Sequence, residues 1–150
     1  MNFVAFSYRD DPAVPGFPDE DPVLIFDGEC VMCSRTALFV LKHERRQRCR
    51  FLAAQSPLGQ SLYKHYGLEA GDFETNILLL DGLPHLRSDA AIRVLVLMGF
   101  PWSIGGLFRL VPKSWRNRFY NLVARNRFRV FGRRDQCYMP TPESAHRFLS

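Results

Sequence analysis

The chain reads VLIFDGECVMC over residues 23–33, a short apolar run followed by a turn and two cysteines. Four apolar residues that end at Asp27-Gly28 predict a buried strand and a turn. The residues from Cys30 to about His43 place apolar side chains along one face and predict a helix. This strand, turn and helix make the first β–α unit of the fold, and both cysteines lie at its junction.

The spacing of the two cysteines predicts reversible dithiol chemistry. A sulfur at a helix N-terminus faces unpaired backbone N–H groups and the positive end of the helix dipole, and both favour a thiolate. We therefore expect Cys30 to be the attacking nucleophile. Cys33 lies one turn further along, close enough to form a disulfide with Cys30 and release a bound partner, so we expect it to be the resolving and more buried thiol.

The alternation of strands and helices continues along the chain. The later predicted elements are a strand over 50–54, a helix over 57–66, strands over 75–80 and 84–87, and a helix over 90–98. Ser56 and the pair Ser88-Asp89 are the expected N-caps of the two helices. The order β–α–β–α–β–β–α, with the dithiol after the first strand, predicts an α/β fold, a thioredoxin-like sheet flanked by helices.

Five dispersed motifs agree in order and spacing with one protein family. They are Asp27-x-x-Cys30-x-x-Cys33, Gln55-Ser56-x-x-Gly59, Ser88-Asp89-Ala90, Tyr120-x-x-Val-Ala-Arg125-Asn126-Arg127 and Phe131-Gly132-Arg133. From about Val23 to Cys137 the chain resembles the DCC family, which is named for its Asp-Cys-Cys motif and is also called DUF393. The resemblance implies a thioredoxin-like fold and thiol-disulfide oxidoreductase activity.

Two features depart from ordinary thioredoxins and glutaredoxins. Those proteins place a cis-proline before the third strand, facing the dithiol, whereas Thr75 is the nearest positional equivalent here. The dipeptide between the cysteines is Val-Met instead of Gly-Pro. The missing proline argues against generic protein-disulfide reduction. Because the dipeptide differs, no reduction potential can be carried over from those proteins, and the direction of electron flow stays open.

Asp27 has two interpretations. A carboxylate three residues before the nucleophile can relay protons to or from the sulfurs, and the resemblance supports that role. Asp-Gly at a strand end is also a common turn pair without any chemical function. We carry Asp27 forward as a candidate catalytic residue beside Cys30 and Cys33.

The remaining cysteines raise the alternative of a zinc site. Cys49 follows Cys33 at a spacing that suits a zinc ribbon, but no second cysteine accompanies it. Other ligands would have to come through the fold from His43, His65, His85 or Cys137. Zinc binding is therefore a lesser alternative, and we expect no metal and no bound cofactor. Cys49 is expected to be a small buried residue, and Cys137 either inert or a third redox thiol.

Length and composition predict one main domain. The chain has 150 residues, of which 47% are hydrophobic. We expect a flexible N-terminal tail over 1–21, a single thioredoxin-like domain over 22–137 and a C-terminal tail over 138–150. The apolar stretch 94–108 is interrupted by glycine and proline and is too short to span a bilayer. Since no export signal is evident, the expected compartment is the reducing cytosol.

The C-terminal third is strongly basic. Nine Lys or Arg and no Asp or Glu lie between Arg109 and Arg134, in a chain of net charge +5. Aromatic and aliphatic residues within one helical arc predict that an added C-terminal helix has a core-facing stripe: Trp115, Phe119, Leu122, Val123 and Val130. The basic face is either merely solvated or contacts an acidic partner or an anionic membrane surface. Nucleic acid is disfavoured because no recognised motif accompanies the charge.

The sequence therefore predicts a thiol-disulfide oxidoreductase that acts on a disulfide-containing protein or a small thiol. The alternative class is a redox-sensitive interaction module without catalytic activity, which would bind its partner through the basic segment.

Overall fold

A computed structural model gives the structure of residues 3–44, 46, 48–68, 76–132, 142 and 145–149. The strands are β1 (Val23–Phe26), β2 (Arg50–Ala53), β3 (Ile77–Leu80), β4 (Leu83–Leu86) and β5 (Phe148–Leu149). The α-helices are α1 (Val31–His43), α2 (Pro57–His65), α3 (Arg87–Leu97) and α4 (Lys113–Phe131). A 3₁₀ segment, Trp102–Leu110, connects α3 to α4.

The described residues form one mixed sheet with the strand order β4-β3-β1-β2-β5. β1 runs parallel to β2 and antiparallel to β3, so that Leu24 lies between Phe51 and Leu78. The connection from β1 to β2 passes through α1, and β3 and β4 form a hairpin. This is the thioredoxin-like α/β arrangement that the sequence predicted, with the added C-terminal helix α4.

Helices cover both faces of the sheet because successive β1 side chains point in opposite directions. Leu24 and Phe26 pack with α1 and α3 on one face. Val23 and Ile25 pack with α2 and the N-terminal segment on the other. Both faces of β1 are therefore buried, which explains its uninterrupted apolar sequence.

The N-terminal segment packs against the second face of the sheet, although the sequence predicted a flexible tail over 1–21. Tyr8 is buried, and its hydroxyl donates to Asp19, which also pairs with Arg9 at 2.8 Å. His65 Nδ1 of α2 lies 2.7 Å from Asp11 Oδ2, and hydrogen bonding to His65 lowers the pKa of that carboxyl. The anchoring aromatic residues are not spaced with a helical or strand period, so the sequence pattern did not predict their packing on the sheet. The division into tails and domain stays a prediction.

The last described residues join the sheet edge, within the segment predicted as a C-terminal tail over 138–150. β5 pairs in parallel with β2, so that Phe51 lies opposite Phe148. Arg147 precedes β5 and is buried, with Nη2 2.7 Å from Glu44 Oε2. The guanidinium also donates to the carbonyl oxygens of Cys49 and Leu41. This buried ion pair ties the chain's end to the segment between α1 and β2.

The N-terminus of α3 differs from the prediction. The helix begins at Arg87 without a side-chain cap, so the expected capping by Ser88-Asp89 was wrong. Ser88 Oγ contacts Asn117 of α4, and Asp89 pairs with Lys113 and Arg116 at 3.3 and 3.2 Å. Burial opposes ionisation of Asp89, but these two cations outweigh it and lower its pKa. The motif therefore anchors α4 instead of capping α3.

The apolar stripe of α4 was expected to face the core, and most of it faces solvent. Trp115 is 69% and Phe119 70% exposed, and Leu122 and Val130 are exposed as well. The side of α4 that packs on the fold carries Ala124, which is buried. Within the part of the chain that the structure describes, no helix is long and apolar enough to cross a membrane.

Gly59, in the first turn of α2, packs closely against the backbone of Ala53 and Ala54 at the end of β2. A Cβ added there would lie 2.4 Å from the carbonyl oxygen of Ala53 and 2.9 Å from Cα of Ala54. Because both are backbone atoms, α2 would have to shift away from the sheet. We expect Gly59→Ala to lower the free energy of unfolding by roughly 1–3 kcal/mol in urea denaturation, despite alanine's better helix propensity.

Gly16 supplies the matched control, since an added Cβ there meets nothing within 4 Å. We expect Gly16→Ala to stay within about 0.5 kcal/mol of the unchanged protein. Equal stabilities for the two variants would contradict the close packing of α2 on the end of β2.

Candidate active site

Cys30 is the N-cap of α1, as the sequence predicted. Its backbone is extended, with φ −81° and ψ 120°, and its sulfur accepts the backbone N–H of Cys33 at 3.3 Å. The carbonyl of Cys30 accepts the first N–H bond of the helix, from Ser34. The sulfur thus takes the place of the oxygen that caps most helices, where it meets a backbone donor and the positive end of the helix dipole.

Both cysteines are buried, so the expected difference in burial between them is not seen. Cys33 was predicted to be the more buried thiol, yet Cys30 is 0% and Cys33 3% exposed. Cys30 belongs to the same buried cluster as Phe26 of β1 and Cys33, and the spacing of the cysteines alone does not predict its burial. Cys33 lies close to Cys30 in the first turn and lines a cavity of about 190 Å³ between α1, α3 and α4.

The cavity beside Cys33 is mainly apolar, with a few polar groups. Its apolar lining includes Phe26, Phe39, Val40, Val94, Leu95 and Met98. Asn76 and Tyr120 lie at the same cavity, and the backbone N–H of Asn76 donates to the Tyr120 hydroxyl at 3.3 Å. Among the described residues and their contacts, Asn76 Oδ1 is a buried acceptor without a hydrogen-bond partner. The cavity therefore suits an apolar group that carries a hydrogen-bond donor.

Asp27 is buried at the end of β1, and its carboxylate is held from two directions. Oδ1 accepts the backbone N–H of Glu29 at 2.9 Å and the side-chain amide of Gln55. Gln55 in turn accepts the backbone N–H of Gly28 at 3.0 Å. This amide fixes both Asp27 and the turn that leads to Cys30. Turn formation and a role at the sulfurs are both compatible with this arrangement.

Cys49 lies apart from this site, before β2. Burial, and then the charge of Glu44, raise the pKa of its thiol to about 12. It is the small buried residue that the sequence predicted. Across the described ranges, no group of three His, Cys, Asp or Glu side chains could hold a metal ion. Thr75 and Cys137 lie outside the described residues.

The similarity of this chain to known proteins covers the residues of this site. A family model described as DCC1-like thiol-disulfide oxidoreductase matches residues 24–133. The chain belongs to the DCC1-like family. The predicted resemblance is therefore confirmed, and the matched range includes the dithiol, Gln55 and Tyr120.

Two curated relatives of this DCC1-like protein show how far the similarity extends. It is 37% identical to the uncharacterized protein YuxK of Bacillus subtilis, over 85% of this chain and 93% of that protein. It is 30% identical to a chloroplastic DCC family protein of Arabidopsis thaliana, over 79% of this chain and 70% of that protein. No solved structure matches the chain.

Sequence reasoning missed several residues of the DCC1-like site. Asn76 and Met98 carried no local signal, because the fold alone brings them to Cys33. Gln55 and Tyr120 stood in family motifs but had no assigned role. Their side-chain contacts, to Asp27 and to Asn76, now place both at the site.

Proposed function

We propose that this protein catalyses thiol-disulfide exchange, with Cys30 as nucleophile and Cys33 as resolving thiol. The observation that carries the proposal is the hydrogen bond from the Cys33 backbone N–H to the Cys30 sulfur at the start of α1. A backbone donor and the helix dipole both stabilise a thiolate at this atom. Family membership supports the same chemistry.

The first step forms one sulfur–sulfur bond and breaks another. The Cys30 thiolate attacks a substrate disulfide, giving a mixed disulfide and one substrate thiolate, which takes a proton from solvent. Cys33 then loses its proton and attacks the Cys30 sulfur of the mixed disulfide, which releases the second substrate thiol. The substrate gains two electrons, and the Cys30–Cys33 pair becomes a disulfide.

The resting dithiol is restored by an external dithiol or small thiol, which donates two electrons and becomes oxidised. Such donors are abundant in a reducing compartment, and we place the protein in the cytosol on that basis. The substrate class is a protein disulfide or a small-molecule disulfide. Because both sulfurs are buried, the apolar cavity beside Cys33 is our proposed route of access.

The proposal is tested by mixing the reduced protein with a small aromatic disulfide and following thiol release. Mass spectrometry should then find one Cys30–Cys33 disulfide per chain after two thiols have been released. Absence of thiol release, with the protein folded and reduced, would exclude exchange with that substrate class and favour a non-enzymatic interaction module.

Asp27 is proposed to take the proton that Cys33 loses in the second step. We expect Asp27→Asn to slow resolution of the mixed disulfide by roughly 10-fold to 100-fold near neutral pH, because an amide cannot accept that proton. The defect should shrink as pH rises, since hydroxide then deprotonates Cys33 directly. Stopped-flow measurement of the second thiol release across pH measures this effect.

Gln55→Leu serves as the companion variant, because it removes the amide bridge to Asp27 and keeps the Asp27 carboxylate without adding a second acid beside it. A merely structural role for Asp27 predicts the same loss at every pH in both variants. If the defect of Asp27→Asn relative to the unchanged protein stayed the same at every pH, the proton relay would be contradicted. The role of Cys30 as nucleophile would not be affected by that result.

A further inference from the structure

The 3₁₀ segment and α4 together expose a large apolar surface. In the 3₁₀ segment, Leu110 is 84% exposed, and Leu107, Phe108 and Ile104 are also exposed. Single exposed apolar residues are ordinary on a protein surface, but a contiguous group of large ones marks a contact site. We name the exposed large apolar residues of these two elements, except Phe131 at the end of α4, the C-terminal apolar surface: Ile104, Leu107, Phe108, Leu110, Trp115, Phe119, Leu122 and Val130.

The two elements meet at an apolar groove, where exposed residues of each lie side by side. Phe108 of the 3₁₀ segment and Phe119 of α4 line the same apolar cavity of about 290 Å³, against Ile92 and Leu95 of α3. The neighbouring cavity that Cys33 lines also includes Leu95. The groove and the cavity beside Cys33 are therefore neighbours that share Leu95 and Tyr120 as lining residues.

Basic residues flank the apolar residues of α4 along one side. At about 100° per residue, Trp115, Phe119, Leu122 and Val130 fall within roughly 80° of one another around the helix. Arg118, Arg125 and Arg129 fall on the adjoining arc, and all three are exposed. An exposed helix with large apolar side chains beside a row of arginines has the pattern of a helix that lies in a lipid interface.

The charged side chains of these two elements are all basic, and Asp89 of α3 pairs with two of them, Lys113 and Arg116. Residues 102–131 contain seven Lys or Arg and no Asp or Glu, which leaves 13 basic residues against 15 acidic ones in the rest of the chain. An anionic lipid headgroup layer complements this basic segment, whereas the rest of the chain is nearly neutral. We therefore propose that the C-terminal apolar surface binds peripherally to an anionic membrane, with its apolar side chains inserted at the acyl boundary.

Other occupants fit these observations less well. A second copy docked on the same surface would set this basic segment against itself, and like charges oppose association. Nucleic acid would engage the arginines through phosphate but leaves Leu110, Leu122 and Val130 without a partner. A lipid interface accepts both the arginines and the apolar side chains.

The test uses the full-length reduced protein and co-sedimentation with phosphatidylcholine vesicles, with and without phosphatidylglycerol. We expect binding only to the anionic vesicles, weakened by added salt. Trp115 emission should shift to the blue on binding. Trp102 is the chain's other tryptophan and is half-buried. Trp115→Phe should therefore remove the emission shift while sedimentation with the vesicles persists.

Variants of exposed residues separate the charge from the apolar contribution. Arg118→Gln, Arg125→Gln and Arg129→Gln together should weaken binding roughly 100-fold, since each arginine near the membrane surface contributes about fivefold. Phe119→Ser with Leu122→Ser should reduce binding at any salt concentration. Arg35→Gln, an exposed arginine on α1, is the matched control and should bind unchanged.

Several results would overturn membrane binding. Equal sedimentation with neutral vesicles, or none with anionic ones, would exclude the proposal. Binding to polyglutamate but not to vesicles would identify an acidic protein partner instead, and a dimer that Phe119→Ser dissociates would identify a second copy. Thiol exchange with a soluble substrate does not require this surface, so the proposal fails or stands independently of the dithiol chemistry.

Discussion

Cys30→Ser protein should release no thiol from a disulfide substrate, whereas Cys33→Ser protein should release one thiol and stop as a mixed disulfide. A serine hydroxyl cannot act as the nucleophile in place of the Cys30 thiolate, so the first step is lost. In Cys33→Ser the first step remains, but no second sulfur is present to resolve the mixed disulfide. Thiol release and intact-mass analysis after rapid acid quenching measure both outcomes.

Cys49→Ala provides the control for these variants. Cys49 is buried, and because the pKa of its thiol is raised to about 12 it stays protonated near neutral pH. We expect full exchange activity in this variant. If the trapped adduct formed on Cys33 in Cys30→Ser protein instead, the roles of the two cysteines would be reversed. Cys33 is the residue to examine for such an adduct, since it lines the cavity.

Arg147→Met should destabilise the fold by about 3–5 kcal/mol, because it leaves the carboxylate of Glu44 buried without its cation. Glu44 and Arg147 are both nearly inaccessible to solvent. Among the described residues, the other donors to Glu44 are the backbone N–H groups of Arg48 and Cys49, which do not neutralise its charge. Urea denaturation followed by circular dichroism gives the change in the free energy of unfolding.

Two further variants test the cause. Arg48→Met removes an exposed cation that pairs with Asp21 at 2.8 Å, and it should cost less than about 1 kcal/mol. Glu44→Gln combined with Arg147→Met removes both charges and should recover part of the loss. If Arg147→Met were as mild as Arg48→Met, the attachment of β5 and its buried ion pair would be contradicted.

The order of strands and helices could be predicted because local signals determine it. Apolar runs end at Asp27-Gly28 and Asp81-Gly82, and Ser56 caps α2 as expected, by accepting the N–H of Gly59. Ser88-Asp89 carries the same kind of signal but binds α4 instead. A capping pattern cannot distinguish a local backbone partner from a distant side chain, so the prediction that Ser88-Asp89 caps α3 was wrong.

Long-range contacts account for the other differences. Helical spacing grouped Trp115 with Phe119 correctly, but spacing alone does not show whether another element covers that arc. The packing of Tyr8 and the burial of Arg147 each depend on contacts with residues far away in the chain. The dithiol could be identified from sequence because both cysteines lie in one short stretch. Asn76 reaches the cavity beside Cys33 only through the fold, so its contribution could not be predicted.

The most direct test of the central claim is a redox titration of the purified protein in dithiol buffers of graded potential. Thiols are trapped by alkylation at each potential and located by mass spectrometry. The account predicts one reversible two-electron transition, in which Cys30 and Cys33 lose their alkylation together while Cys49 is unaffected. A pair that never forms a disulfide anywhere in the accessible range would contradict it.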